Sequence, residues 1–176
     1  DLSEVGMITP WAEWGKGSGD NNGSYAGNNN FRAINSDYRP GAIYGRFDTG
    51  AAVVLGGAGN AAASNGLANR TIWGFGVKAT PAAVNKLTVG AQFYHYEFSR
   101  LADNGTTPTT ATLRSRNSRN IGTESDVTAE WKHSENVSFK GAAGSFLPGT
   151  YWKDVRGANA ALNPVVMLAG DVAIKF

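Results

Sequence analysis

Three observations predict an all-β chain, a transmembrane antiparallel up-and-down β-barrel or a section of one. Apolar residues recur at every second position, opposite polar or charged ones, which is the period of a strand with two unlike faces. The segments so patterned are joined by links that alternate long and short. The composition is also unlike a soluble α/β core: Gly makes up 23 of 176 residues and the apolar residues come singly rather than in aliphatic runs.

The first strand is expected at residues 5–15, where Pro10 lacks a ladder donor and suits an edge or a bulge. The second, residues 70–80, sets Trp73, Phe75, Val77 and Ala79 against Gly74, Gly76 and Lys78. The third, residues 87–99, sets Leu87, Val89, Ala91 and Phe93 against Thr88, Gly90, Gln92, Tyr94 and Tyr96. Its far end carries His95 and Glu97 on the apolar face, as expected where a strand leaves an apolar medium. The fourth, residues 123–132, alternates Glu124, Asp126, Thr128, Glu130 and Lys132 with Val127, Ala129 and Trp131. The fifth, residues 136–147, puts Val137, Phe139, Gly141 and Ala143 opposite Ser138, Lys140, Ala142 and Gly144. The sixth, residues 165–176, puts Leu168, Gly170, Val172, Ile174 and Phe176 opposite Met167, Ala169, Asp171, Ala173 and Lys175.

The long links are about Lys16–Asn69, Arg100–Gly122 and Pro148–Asn163, and the short ones are Pro81–Lys86 and His133–Glu135. Outer-membrane barrels have short periplasmic turns and long extracellular loops. A periplasmic Phe176 puts every long link outside and every short link inside. A terminal aromatic on an amphipathic last strand reads as the signal taken up by the barrel insertion machinery. Trp11, Trp14, Trp73, Tyr94, Tyr96, Phe98, Trp131, Phe146, Tyr151, Trp152 and Phe176 fall near strand ends, the place of aromatic girdles.

Six strands are fewer than the eight of the smallest closed bacterial barrels. Two readings stay open. In one, the chain is the C-terminal section of a larger barrel. In the other, Ala42–Phe47 and Ala51–Leu55 form a hairpin across Asp48-Thr49-Gly50 and complete eight strands. The chain opens at Asp1 without Met or a signal peptide, as a mature, trimmed or cut polypeptide does.

Alternation places Glu13, Lys78, Glu124, Asp126, Glu130, Lys132, Lys140, Asp171 and Lys175 on the polar face, the lumen side of a barrel. Rings of charge in a water-filled pore set ion selectivity. The same residues also suit a salt-bridge network, with Lys140 against Glu130 or Asp126. Most arginines fall in the outer links. Among them Arg100, Arg114, Arg116 and Arg119 are candidates for an anion-attracting mouth, since guanidinium binds carboxylate in a bidentate fork. Plain loop solubility and contact with lipopolysaccharide phosphates compete with that role. Gly19-Asp20-Asn21-Asn22-Gly23 has oxygen donors but not the spaced acids and closing Glu of a calcium loop.

Other classes have less support. There is no Cys, which excludes disulfides and thiolate metal sites, and no metal or cofactor is expected. A net charge of +2 does not make a nucleic-acid footprint. His95 and His133 lie at opposite strand ends and no nucleophile elbow occurs, so an enzyme is not expected.

Several stretches resemble the alginate-export family of bacterial outer-membrane barrels. Trp11-Ala12-Glu13-Trp14-Gly15 followed by Gly17-Ser18-Gly19-Asp20 resembles its entry into a long loop. Ile121-Gly122-Thr123-Glu124-Ser125-Asp126-Val127-Thr128 resembles its G-T-E-x-D segment. Phe146-Leu147-Pro148-Gly149-Thr150-Tyr151 resembles the corner before its last strand. The order and spacing match the C-terminal half of that family, and the match is loosest over Ala42–Leu67. The resemblance implies a wider barrel and passage of a solute through a polar lumen. The arginines of the alginate conduit do not align, so no solute identity carries over.

The sequence thus leads to a channel for a polar or anionic solute such as a polysaccharide or carboxylate. The alternative is a non-conducting barrel that anchors or sheathes a partner protein. Either would sit in the bacterial outer membrane, in contact with the bilayer and lipopolysaccharide. A soluble lipocalin-like barrel is the third class.

Overall fold

The computed structural model describes residues 6–19, 40–44, 67, 69–100 and 118–176. Among them run six strands: β1 (Met7–Lys16), β2 (Arg70–Thr80), β3 (Leu87–Phe98), β4 (Asn120–Lys132), β5 (Val137–Pro148) and β6 (Val165–Ile174). They form one antiparallel sheet in sequence order, β1-β2-β3-β4-β5-β6. Among the described residues the sheet is open, with β1 and β6 at its edges. Every connection is therefore up-and-down, as the alternation of apolar and polar runs predicts.

The hydrogen-bonded ladders fix which side chains share a face. Glu124 stands opposite Tyr94 and Phe146, and Val127 opposite Ala91 and Ala143. Carried across the sheet, this parity gives an inner face bearing most of the charged residues of the strands and a mainly apolar outer face, with Lys16 and Glu97 at its long-link end. The outer face exposes Phe75, Val77, Val89, Val127, Leu168 and Val172. Pro10 lies on the edge strand β1, where a missing donor costs least.

The boundaries differ from the expected ones in physically simple ways. β4 begins at Asn120 rather than at residue 123, because a bulge shifts the register between Tyr96 and Glu97. Tyr96 pairs with Gly122 and Glu97 with Asn120, leaving Ile121 as the extra residue. A bulge turns a side chain that simple alternation would send outward, and Ile121 is fully buried. β6 ends at Ile174, although the Lys175 N–H still reaches the Asn136 carbonyl at 2.9 Å.

The link after β5 is not all loop. It holds a six-residue helix, α1 (Tyr151–Arg156), closed by the Gly157 N–H on the Lys153 carbonyl at 2.8 Å. The helix hangs over the end of the sheet: the Trp152 indole N–H donates to the Ile121 carbonyl, and the Tyr151 ring lies 4.6 Å from that of Phe98. Nor do Ala42–Tyr44 begin a strand. They form a turn that folds back onto the inner face. The rest of the expected hairpin, with Phe47 and Ala51–Leu55, lies outside the described residues, as does Asp20–Gly23.

The expected aromatic girdle also needs correcting. Trp14, Trp73, Trp131 and Phe176 are exposed. Tyr94, Tyr96, Phe98, Phe146 and Tyr151 instead form the buried core with Tyr44, Ile72 and Ile121, and Trp11 and Trp152 pack against it. Strand parity separates the two sets, since Tyr94, Tyr96 and Phe98 share the inner face of β3 whatever their height along it.

Close inner-face packing at Gly76 carries a prediction. A β-carbon there would meet the Ala91 carbonyl at 2.6 Å and the Trp11 ring at 2.9 Å, while one at Gly141 would meet nothing within 4 Å. Gly76→Ala is expected to cost about 1–3 kcal/mol through overpacking in equilibrium urea unfolding. Gly141→Ala should fall within about 0.5 kcal/mol of wild type.

Candidate functional site

The inner face divides along its height. Toward the long links it is packed and covered; toward the short turns it is open and charged. The covered half is built around two carboxylates. Glu124 and Asp126 sit two apart on β4 and so face the same side, next to Tyr96 and Gln92 of β3. Both are buried, Glu124 completely. A buried carboxylate is tolerated only if donors replace the water it has lost.

Those donors come from the segment Pro40–Tyr44, which lies within the link between β1 and β2. Glu124 Oε1 accepts the N–H of Ala42 at 2.5 Å and of Ile43 at 2.6 Å, and Oε2 accepts the N–H of Tyr44 at 2.8 Å. Asp126 Oδ2 accepts from Ala42 N–H and from the Gln92 amide, both at 3.0 Å. The Tyr96 hydroxyl lies 3.0 Å from the Pro40 carbonyl and 3.3 Å from Glu124 Oε2, so one proton serves two acceptors. Successive backbone N–H groups turned toward one point make an anion-binding concavity, and here a side chain of the same molecule fills it.

Packing reinforces the contact. The Tyr44 ring stacks on Phe146 at 5.1 Å and tilts against Tyr96 at 4.7 Å. The Arg70 guanidinium lies over the Tyr44 ring at 5.0 Å, a cation–π arrangement. Gly41 adopts φ +84°, and a β-carbon there would collide with the Tyr96 hydroxyl and the Glu124 carboxylate. Glycine adopts that conformation without a steric cost.

The open half is a hollow of about 260 Å³ lined by Lys78, Glu130, Lys140 and Asp171, with Ala42 at its upper rim. Small inner-face residues such as Gly90, Ala142 and Ala169 leave the room. Glu130, Lys140 and Asp171 stand directly opposite one another across β4, β5 and β6. Lys140 and Glu130 make an ion pair at 3.8 Å. Both are well exposed, so the pair contributes at most about 1 kcal/mol.

The lumen set read from alternation therefore shares one face. Glu13 stands opposite Gly74 on the same level as Tyr94 and Glu124, and Lys78 stands opposite Gly90. Lys132 pairs with Ser138 near the turn, and Lys175 follows the end of β6. Of the two expected partners for Lys140, Glu130 holds it; Asp126 is engaged by the Pro40–Tyr44 segment and Gln92. Phe176 is fully exposed.

The arginine group is only partly in view. Arg100 is tied to Asn69, its N–H donating to Oδ1 at 2.9 Å and its carbonyl accepting from Nδ2 at 3.0 Å. Arg119 donates from Nε to the Phe98 carbonyl at 2.6 Å. Arg114 and Arg116 lie outside the described residues. Arg70 is the buried first residue of β2. His95 and His133 lie at opposite ends of the sheet, and His95 Nε2 sits 3.2 Å from Glu97 Oε1.

Alternation did not reveal Tyr44, Arg70, Tyr96 and Gln92 as a cluster. The available signal was Pro40-Gly41, a turn dipeptide, next to a tyrosine. Comparison with known protein families, with characterised proteins and with solved structures finds no significant match.

The shared proton of Tyr96 yields a prediction. Tyr96→Phe keeps the packing and removes the hydroxyl that bridges Pro40 and Glu124. It should cost about 1–2 kcal/mol and speed amide hydrogen exchange at Ala42–Tyr44, measured by mass spectrometry, with no change at β5 or β6.

Proposed function

We propose that the sheet is a section of the wall of an outer-membrane β-barrel, with lipid against its outer face and a water-filled conduit against its inner one. Polar solutes, including anionic ones such as carboxylates or polysaccharides, pass along the charged face. The observation that carries this reading is the segregation of side chains. From the level of Trp73 to that of Trp131 the outer face bears no charged residue among those described, while Glu13, Lys78, Glu130, Lys132, Lys140 and Asp171 share the inner face.

The height of the apolar band fits. Leu87 stands opposite Trp131, and His95 opposite Trp73. From Leu87 to His95 is about 27 Å along a strand at about 3.4 Å per residue, or about 20 Å along the membrane normal at a tilt of about 40°. Lipid-facing bands of such barrels are about 25 Å tall. Aromatics mark both margins on the outer face. Trp73 lies 5.6 Å from His95 at one margin, and Trp131 stacks with Phe139 at 5.7 Å at the other.

Unpaired strand edges cost several kcal/mol per polar group in hydrocarbon. In this reading further antiparallel strands therefore continue the sheet beyond β1 and β6 and close it. The resemblance of the Ile121–Thr128 and Phe146–Tyr151 stretches to the alginate-export family supports a barrel wider than six strands.

A second reading, a non-conducting barrel that anchors or sheathes a partner protein, draws on the packed aromatic core that fills part of the inner face. Reconstitution in planar bilayers separates the two. The conduit reading expects discrete conductance steps, and a purified, folded protein that inserts without them leaves the anchor.

The lipid-facing assignment makes its own prediction. Val127→Arg should destabilise the protein in bilayers by about 2–4 kcal/mol, the cost of arginine near the midplane. Thr128→Arg, one residue away on the conduit face, should cost well under half of that in the same urea titration.

A further inference from the structure

We infer that the Pro40–Tyr44 strap is the size-selecting constriction of the conduit, and that Glu124 is the positioning residue that holds it there. The inference rests on the conduit reading above.

The strap leaves the link between β1 and β2 yet lies against three other strands. It meets Tyr96 on β3, Glu124 and Asp126 on β4, and Phe146 on β5. At a strand spacing of about 4.8 Å it covers about 10 Å of the inner wall. A layer packed on the face of a sheet stands about 10 Å off it. The strap therefore takes about that much from the width of the conduit at one level.

Its position along the conduit is definite. Below it opens the hollow lined by Lys78, Glu130 and Lys140, whose rim includes Ala42. A solute moving along the inner face between the long-link end and that hollow must pass the strap. The two β4 carboxylates are spent on holding the strap: Glu124 takes three of its backbone N–H groups and Asp126 shares one. Glu124 thus acts on the passing solute through the strap and not by contact.

Removal of the carboxylate leaves the N–H groups of Ile43 and Tyr44 without acceptors and Ala42 held by Asp126 alone, which favours release of the strap into water. Glu124→Gln keeps one carbonyl oxygen as acceptor but turns an NH2 group toward the remaining strap donors, so it should loosen the strap in part. Gly41→Ala puts a β-carbon against Tyr96 and Glu124 and should displace the strap without altering the sheet.

The test uses the full protein in proteoliposomes and planar bilayers, with uncharged polyethylene glycols of graded size as probes. Heat-modifiable gel mobility checks that each variant is folded. Exchange at Ala42–Tyr44 reads the strap directly. Glu124→Ala should show fast exchange there, a conductance raised about twofold or more by loss of the 10 Å layer, and entry of polymers that wild type excludes. Glu124→Gln, with one of the two accepting oxygens left, should fall between wild type and Glu124→Ala in all three. If Glu124→Ala fails to fold, Gly41→Ala is expected to give the same wide-conduit result. Fast exchange with an unchanged size limit would overturn the constriction, and slow exchange in Glu124→Ala would overturn the latch. A folded wild type that conducts nothing would sink the conduit reading, and this inference with it.

Discussion

The period of two, enforced by continuous backbone ladders, is the constraint on which the rest of this structure depends. Each pair of neighbouring strands is held in a fixed antiparallel register, so one ladder decides the face of every side chain on both strands. A slip by one residue would carry Val127 inward and Asp126 outward. Among the described residues the ladders shift register at the long-link end, where the bulge opposite Tyr96 and Glu97 turns Ile121 into the core. Above it the sheet stops alternating strictly and begins to be covered by α1 and its neighbours.

In the proposed reading, two unlike solvents for the two faces explain the composition. The outer face is apolar and gains nothing from close packing within the chain, so its large residues stay exposed. The inner face carries two chemistries at two heights. Where it is buried, each polar group must find a partner, and the Pro40–Tyr44 segment supplies backbone donors that no strand can spare. Where it is open, charges of both signs stand across from one another in water and need little from their neighbours. Glycine and alanine in the lower half leave the hollow, while tyrosine and phenylalanine in the upper half fill the space. The strap belongs to the boundary between these two regimes.

Much of this was legible in the sequence because strand periodicity is local. Six strands, their order and the shared face of Glu13, Lys78, Glu130, Lys140 and Asp171 follow from alternation and from the rhythm of long and short links. What stayed hidden depends on contacts far apart in the chain. Tyr44 and Glu124 are 80 residues apart, and nothing in either neighbourhood announces the other. Ala42–Tyr44 reads as the start of a strand from its apolar content, and only the demand of two buried acids for donors draws it into a turn. Arg70 reads as the first residue of a strand, and nothing in its neighbourhood announces its place above the Tyr44 ring. The aromatics misled because height along a strand was weighed without the face, which sends Tyr94 and Tyr96 inward and leaves Trp73 and Trp131 outside.

The claim that one face meets lipid and the other water is open to a direct measurement. The chain has no native cysteine, so single cysteines can be placed in turn from Val127 to Lys132 and the protein reconstituted into liposomes. The account predicts that cysteines at 127, 129 and 131 resist a water-soluble maleimide, and that a fluorophore attached there in detergent before reconstitution is quenched by brominated lipid. Cysteines at 128, 130 and 132 should react readily and escape that quenching. Equal reaction of all six with the water-soluble reagent, in protein that stays dissolved without detergent, would contradict it and make the sheet part of a soluble domain.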